Sequence, residues 1–305
     1  MLNNKVLQKI VEIVSEENVK LDEILKNHTA TKLGGKADYF VTPTTVEQVQ
    51  NIVTFAKEHQ IPLLLIGNGS NMVVKDGGFR GIVLSLIKFD NLTINENKMV
   101  VQSGVSIIEA SRKALEANLT GLEFACGIPG SIGGALAMNA GAYGGEIQDI
   151  IVSTVVISPE GEVLTLSKEE LELGYRKSII AKKGYIALEA TFQLEKGDYK
   201  EIKEKMDDLT QKREERQPLE YPSAGSVFKR PPGHFAGKLI QDSGLQGTNI
   251  GGAEVSLKHA GFIINKDNAT ATDYINLIQH VQKVVKEKFG IELEREVKIV
   301  GEDLE

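Results

Sequence analysis

The chain has 305 residues, 41% hydrophobic and 25% charged, with a net charge of −7 and one cysteine. That is length for about two domains of ~150 residues each. The acidic balance argues against a nucleic-acid surface, and a lone cysteine excludes an intramolecular disulfide and suits a reducing compartment.

Val6, Ile10 and Val14 share one face, which predicts an amphipathic helix over residues 2–25. Lys5, Lys9 and Glu12 interrupt these apolar positions, and no apolar run approaches membrane-spanning length, so a cytoplasmic protein is expected. A strand is predicted from Asp38 to Val41. Thr44 and Glu47 form a capping box for a helix through Val46, Val49, Val53 and Ala56 that ends before Ile61-Pro62. Pro62 to Ile66 then reads as a buried strand, completing a βαβ unit with a parallel pair. It runs directly into Gly67-Asn-Gly-Ser-Asn71. Position six of a dinucleotide fingerprint would be Met72, and no helix pattern follows, so that motif is absent.

Gly81 to Leu86 and Met99 to Gln102 are further strands, and Ser106 with Glu109 caps a helix to about Asn118. Next come Gly121 to Glu146, eight glycines among small and apolar residues, predicted as neither helix nor strand. Its exposed main-chain N–H groups suit a phosphate, and a tightly packed loop is the plain alternative. Cys126 within it reads as a small apolar filler. Ile150 to Ile157 and Val163 to Leu166 flank a Ser158–Glu162 turn as a hairpin, and Ser167 with Glu170 caps a short helix before Tyr175-Arg176. A strand is predicted at 185–194 and a charged, solvated helix at 200–215. Pro218, Pro222, Pro231 and Pro232 mark a boundary and a rigid loop. A helix at 234–242, a strand at 260–264, a helix at 273–289 and a strand at 297–300 complete the chain. Five scattered histidines give no metal-ligand pattern, so no metal is expected.

Six blocks now carry a likeness: GNGSNMVV (67–74), GIPGSIGGALAMNAGAYGGE (127–146), YRKS (175–178), PSAGSVFKRP (222–231), KHAGFIIN (258–265) and LEREVKIVG (293–301). In this order, over nearly the whole chain, they resemble the UDP-N-acetylenolpyruvoylglucosamine reductases. The resemblance implies an α+β fold: an FAD-binding domain of the vanillyl-alcohol-oxidase (PCMH) type with a separate α/β substrate-binding domain. The FAD-binding region is expected over 1–205, as two α+β subdomains of about 1–80 and 81–205 with 297–305 packing back on it. The substrate domain is expected over 206–296. Tyr185 follows Arg176 closely and the strand ends by Leu194, so the chain resembles the shorter class, which lacks an extra tyrosine-bearing loop.

The implied activity is reduction of UDP-N-acetylglucosamine enolpyruvate to UDP-N-acetylmuramate, with non-covalent FAD and NADPH as co-substrate. FAD contacts are expected from Gly67, Asn68, Gly69, Ser70, Asn71, Gly127, Pro129, Gly130, Ser131, Gly133, Gly134, Asn139 and Gly141, with main-chain amides of 67–71 and 130–134 on the pyrophosphate. Reduction of the double bond needs a proton donor, a cation and a group that relays a proton. By resemblance these are Ser226, Arg176 and Glu296. Glu292 and Glu294 compete with Glu296 on composition, and only its spacing to the last strand selects it. Tyr175, Lys229, His259 and Asn265 are expected to bind the UDP-sugar, although His259 equally suits a satisfied histidine at a strand start. A monomer is expected. The alternatives are a nucleotide-sugar binding protein without catalysis and an FAD oxidase of the same superfold.

Overall fold

The computed structural model describes residues 2–304, and side chains from residue 5 onward. The chain divides into two compact units, Met1–Leu21 with Tyr39–Asn68 and Gly81–Lys212, and Asp22–Asp38 with Gly69–Arg80 and Arg213–Glu305.

In the first unit, the Leu2–Val14 and Val46–Glu58 helices bury Ile10, Val14, Val49, Ile52 and Val53 against Val41, Ile82 and Leu84. The sheet beneath runs Val19–Ile24, Lys36–Val41, Phe79–Ser85, Leu63–Ile66. A helix over 2–25 is therefore not what forms. Ser15 turns to φ 70° once the apolar face ends at Val14, and Val19–Ile24 joins the sheet as its edge strand. The βαβ reading is also revised, because Phe79–Ser85 lies between the two strands and is itself the parallel partner of Leu63–Ile66. The helix cap moves by one residue: Thr45 accepts from the Gln48 N–H at 3.2 Å.

A second, five-stranded sheet of this unit is antiparallel, in the order Val163–Ser167, Ile151–Ile157, Ile186–Gln193, Lys98–Gln102, Leu92–Asn95. It buries Phe192, Met99 and Ala190 against Ile107, Ile132 and Leu136. The glycine stretch is more ordered than its composition suggests, since Ile132–Ala137 is helical, with Ser131 as its N-cap. Its two glycines weaken helix propensity, and tertiary packing overrides this: a Cβ on Gly133 would lie 2.8 Å from Ser103 Cβ. Ser167 and Glu170 do bond reciprocally, but they close a turn, and the helix comes later at Ile179–Lys183.

In the second unit, Ser223–Ser226, Phe262–Asn265, Ala253–Val255 and Asn249–Ile250 form an antiparallel sheet. The Ala271–Phe289 helix buries Tyr274, Leu277, Ile278 and Val281 in the same core as Val255 and Ile263. Its N-terminus has two sets of partners. Thr270 and Asp273 make a capping box, and the Asp76 carboxylate accepts from Ala271 N at 2.8 Å and Thr272 N at 2.9 Å. Lys298–Val300 pairs in parallel with Met72–Val74, so the last strand of the chain closes on an early one.

Backbone approaches around that pair are very close. A Cβ on Gly78, which sits at φ +81°, would meet the Lys36 carbonyl oxygen at 1.9 Å, whereas Gly233 at φ +73° has open space around the same position. Gly233→Ala should therefore cost only the left-handed penalty, ~1–2 kcal/mol. Gly78→Ala should cost more than ~3 kcal/mol or fail to fold. Urea unfolding of both variants checks this, and equal losses would remove the packing role given to Gly78.

Candidate active site

In the first unit, the loop after Leu63–Ile66 and the start of the Ile132–Ala137 helix come together. A Cβ on Gly67 would lie 2.6 Å from Ser131 Oγ, and that hydroxyl accepts from Gly134 N at 3.3 Å. Ile132 N donates to Val105 O at 2.9 Å and Gly133 N to Ser103 O at 3.0 Å. Three of the amides expected on a pyrophosphate are thus committed inside the fold, which a count of glycines cannot reveal. By contrast the main-chain N–H groups of Asn68, Gly69 and Ser70 meet no acceptor among the described residues. Gly69 itself is fixed at φ +59°, its Cβ position 2.2 Å from His28 O, and its carbonyl accepts from Ala30 N at 3.1 Å. One residue on, the buried Thr31 hydroxyl has no partner among the described residues. A loop with unengaged amides and an orphaned hydroxyl beside it is what a phosphate-bearing cofactor requires, so these residues fit FAD.

Arg176 occupies a two-residue turn closed by Gly174 and Lys177, with its own φ at 55° and Nη2 donating to Gly141 O at 3.4 Å. Its guanidinium lies 5.1 Å from the centre of the exposed Tyr175 ring. Ser178 caps the following helix and donates to Ala137 O at 2.6 Å, so only Lys177 separates Arg176 from the cap of Ile179–Lys183. Asn139, expected as a cofactor ligand, is fully buried with its amide spent on Glu146, Gly174 and Gln148. Its side chain serves the fold.

In the second unit the structure sets the residue after Ser226 against Glu296. Ser223 pairs with Ile264 but Ser226 with Phe262, so one extra residue bulges the strand at Gly225, φ +73°, and Ser226 is exposed. Bulges of this kind re-aim a side chain. The next residue, Val227, accepts at its carbonyl from Glu296 N at 2.8 Å. Asn71 Nδ2 donates to Glu296 O at 3.3 Å, and Asn71 O accepts from Lys298 N at 3.2 Å. Lys229 pairs with Glu294 at 2.5 Å in an exposed ion pair, a kind that is weak enough to exchange for a ligand. Asn265 is not so placed: Nδ2 donates to Thr31 O at 3.0 Å and Oδ1 accepts from Ala269 N at 2.8 Å. Missed in the sequence is Arg230, whose guanidinium stacks 3.9 Å from the exposed Phe235 ring.

His259 has one ring nitrogen bonded inside the protein. Its Nδ1 accepts from Gly261 N at 3.1 Å, which puts the proton on Nε2, and its ring packs edge-on to Phe262 at 4.7 Å.

A family model for FAD-binding domains matches residues 37–167, and one for the C-terminal domain of UDP-N-acetylenolpyruvoylglucosamine reductase matches 217–300. The reductase of Oceanobacillus iheyensis is 62% identical over 99% of this chain and 98% of its own. The chain belongs to the UDP-N-acetylenolpyruvoylglucosamine reductase family. Another reductase of this family, from Exiguobacterium sibiricum, is 60% identical over 99% of this chain and all of its own. The crystal structure of the Thermus caldophilus reductase aligns at TM-score 0.78 and 33% identity, covering 92% of this chain and 97% of that one. A grass pollen allergen with glucose dehydrogenase activity aligns at TM-score 0.51 and 14% identity, over 63% of this chain and 44% of that one, and shares the fold only. No helix among the described residues is long and apolar enough to cross a membrane.

Burial lowers the His259 pKa from its ordinary 6.5. The unfolded chain then takes up the proton first as pH falls, so this ring's contribution to stability is complete above about pH 6.5 and declines below it. His259→Asn, whose oxygen can accept from Gly261 without titrating, should flatten the acid side of the stability profile. Chemical unfolding at several pH values measures it, and parallel profiles for parent and variant would refute the neutral, half-buried ring.

Proposed function

We propose that the chain catalyses the reaction of its family, reducing UDP-N-acetylglucosamine enolpyruvate to UDP-N-acetylmuramate with non-covalent FAD and NADPH. The observation that carries the reading is the bulge that presents Ser226 next to Val227, whose carbonyl accepts from Glu296 N. When bound, FAD supplies the hydride, taken from NADPH, to one carbon of the enolpyruvyl double bond. The chain's own work is to bind, to stabilise negative charge developing next to the substrate carboxylate, and to deliver a proton to the neighbouring carbon.

Ser226 donates that proton. Its hydroxyl is a weak acid, and Glu296 assists by returning or relaying the proton. Arg176 stabilises the developing charge through its fork of donors, held in place by its turn. The amides of Asn68, Gly69 and Ser70 would take the FAD pyrophosphate, and Gly127, Pro129, Gly130, Ser131 and Gly141 would serve the same cofactor. Tyr175 and Lys229 serve the UDP-sugar, Lys229 after leaving Glu294. FAD is assigned to residues 1–205 and substrate to 206–296, which the two matched domains support. The protein acts in the cytoplasm as a monomer.

Ser226→Ala separates the two halves of the reaction. It removes one oxygen from an exposed position, so FAD binding and bleaching of the flavin by NADPH should stay near the parent rate. Reoxidation by the enolpyruvyl substrate should fall ~10²- to 10⁴-fold. Stopped-flow absorbance follows each half, and Ser226→Cys should recover part of the second. Slower bleaching with intact reoxidation would overturn the assignment of Ser226.

A further inference from the structure

One buried amide holds the Arg176 turn from behind. Gly174 and Lys177 close the turn with reciprocal main-chain bonds of 3.2 and 3.1 Å, and Arg176 at φ 55° takes a conformation that side-chain-bearing residues rarely adopt. Such a conformation persists only where the surroundings over-determine it. Asn139 Nδ2 donates to Gly174 O at 3.2 Å and to Glu146 Oε2 at 3.1 Å, and Asn139 Oδ1 accepts from Gln148 N at 2.9 Å. Glu146 pairs with Gly141 across the Gly141–Ala142 and Gly145–Glu146 hairpin. The carbonyl of Gly141 receives the guanidinium of Arg176 at 3.4 Å. The contacts therefore make a closed circuit, from Asn139 to the base of the turn, through Arg176 to the hairpin, and through Glu146 back to Asn139.

We infer that Asn139 is a positioning residue that sets the Arg176 turn against the 141–146 hairpin and so fixes where the guanidinium points. The inference rests on the role given to Arg176 under Proposed function. The direction of each bond matters. Gly174 O already accepts from Lys177 N, so Asn139 adds a second donor there and another to the Glu146 carboxylate, and the NH₂ group of an asparagine at position 139 supplies both while its oxygen accepts from Gln148 N. Charged groups around the circuit are Glu146 on Asn139, Asp149 on Glu146 N, Arg176 on Gly141 O, and Lys177 next to Gly174.

Asn139→Asp tests this with little change in shape. It keeps the acceptor for Gln148 and turns two attractive contacts into repulsive ones. The introduced carboxyl is buried beside a carbonyl and the Glu146 carboxylate, so its pKa is raised, and on protonation it regains a donor. Bleaching by NADPH should stay near the parent rate. Reoxidation by the enolpyruvyl substrate should be slowed on the order of 10- to 100-fold at about pH 8, and its ratio to the parent should recover toward about pH 6. A parent rate at about pH 8 overturns the inference, and so does a loss whose ratio to parent is independent of pH, which general loosening would give. Arg176→Ala is measured in parallel. If it reoxidises at the parent rate, the reading of Arg176 fails, whereas a slow Arg176→Ala with a parent-like Asn139→Asp overturns the positioning role alone. Should Asn139→Asp purify without flavin, Asn139→Gly, which tolerates φ 45°, takes its place. Slower reoxidation with unchanged bleaching then supports the inference and the parent rate overturns it.

Discussion

The pairing of Lys298–Val300 with Met72–Val74 is the contact on which the second unit depends, because it joins two of its three segments, which are far apart in sequence, and the third bonds beside it. Around it Gly35 N donates to Lys75 O at 3.1 Å, Lys75 N to Val300 O at 2.9 Å, and Gly77 N to Glu302 O at 2.9 Å. Each bond adds only about 1 kcal/mol net. Their combined effect is geometric, since they fix three separate stretches of backbone against one another around the half-buried Lys75–Gly77 segment. Closing loops of this length costs entropy that grows slowly with length, so a few well-made crossings suffice to hold a discontinuous unit. The same strand pair sets Asn71 against Glu296, so the proposed proton relay inherits its register from the terminal strand.

Much of this was legible in the sequence where one local signal agreed with the global fold. The Ala271–Phe289 helix has both an apolar stripe and a capping box at Thr270, and its extent matches the periodicity closely. Failures fall where local signals were overridden. Val6, Ile10 and Val14 describe a helical face that nothing in the next ten residues extends, and Val19–Ile24 becomes a strand because a sheet edge is there to pair with. Ile132–Ala137 is helical despite Gly133 and Gly134, since close approach to Ser103 needs a residue without a side chain. No single-sequence pattern carries the insertion of Phe79–Ser85 between two earlier strands, which is a non-local choice.

The candidate site divides in the same way. The motifs around Ser226 and Glu296 named two residues seventy positions apart, and the fold sets their backbones in hydrogen-bond contact through Val227. A glycine-rich string, however, cannot say which of its amides are used internally. The run over 130–134 held the stronger glycine signal, yet three of its N–H groups are engaged, while Asn68 to Ser70 keep theirs.

Residues that touch a ligand and residues that hold those residues in place carry the same motif, and hydrogen-bond capacity separates them. Asn139 and Asn265 sit in the most recognisable blocks of the chain, but each has its amide nitrogen and its oxygen both bonded inside the protein. Breaking those bonds to reach a ligand would cost the desolvation of every group left behind, about 1–3 kcal/mol each. Lys229 lies at the other extreme: its partner Glu294 is exposed, and water can replace either member of the pair at little cost. Burial with complete partnering therefore marks a side chain as scaffold, and a weak exposed pair marks one as recruitable, even though both look alike in the sequence.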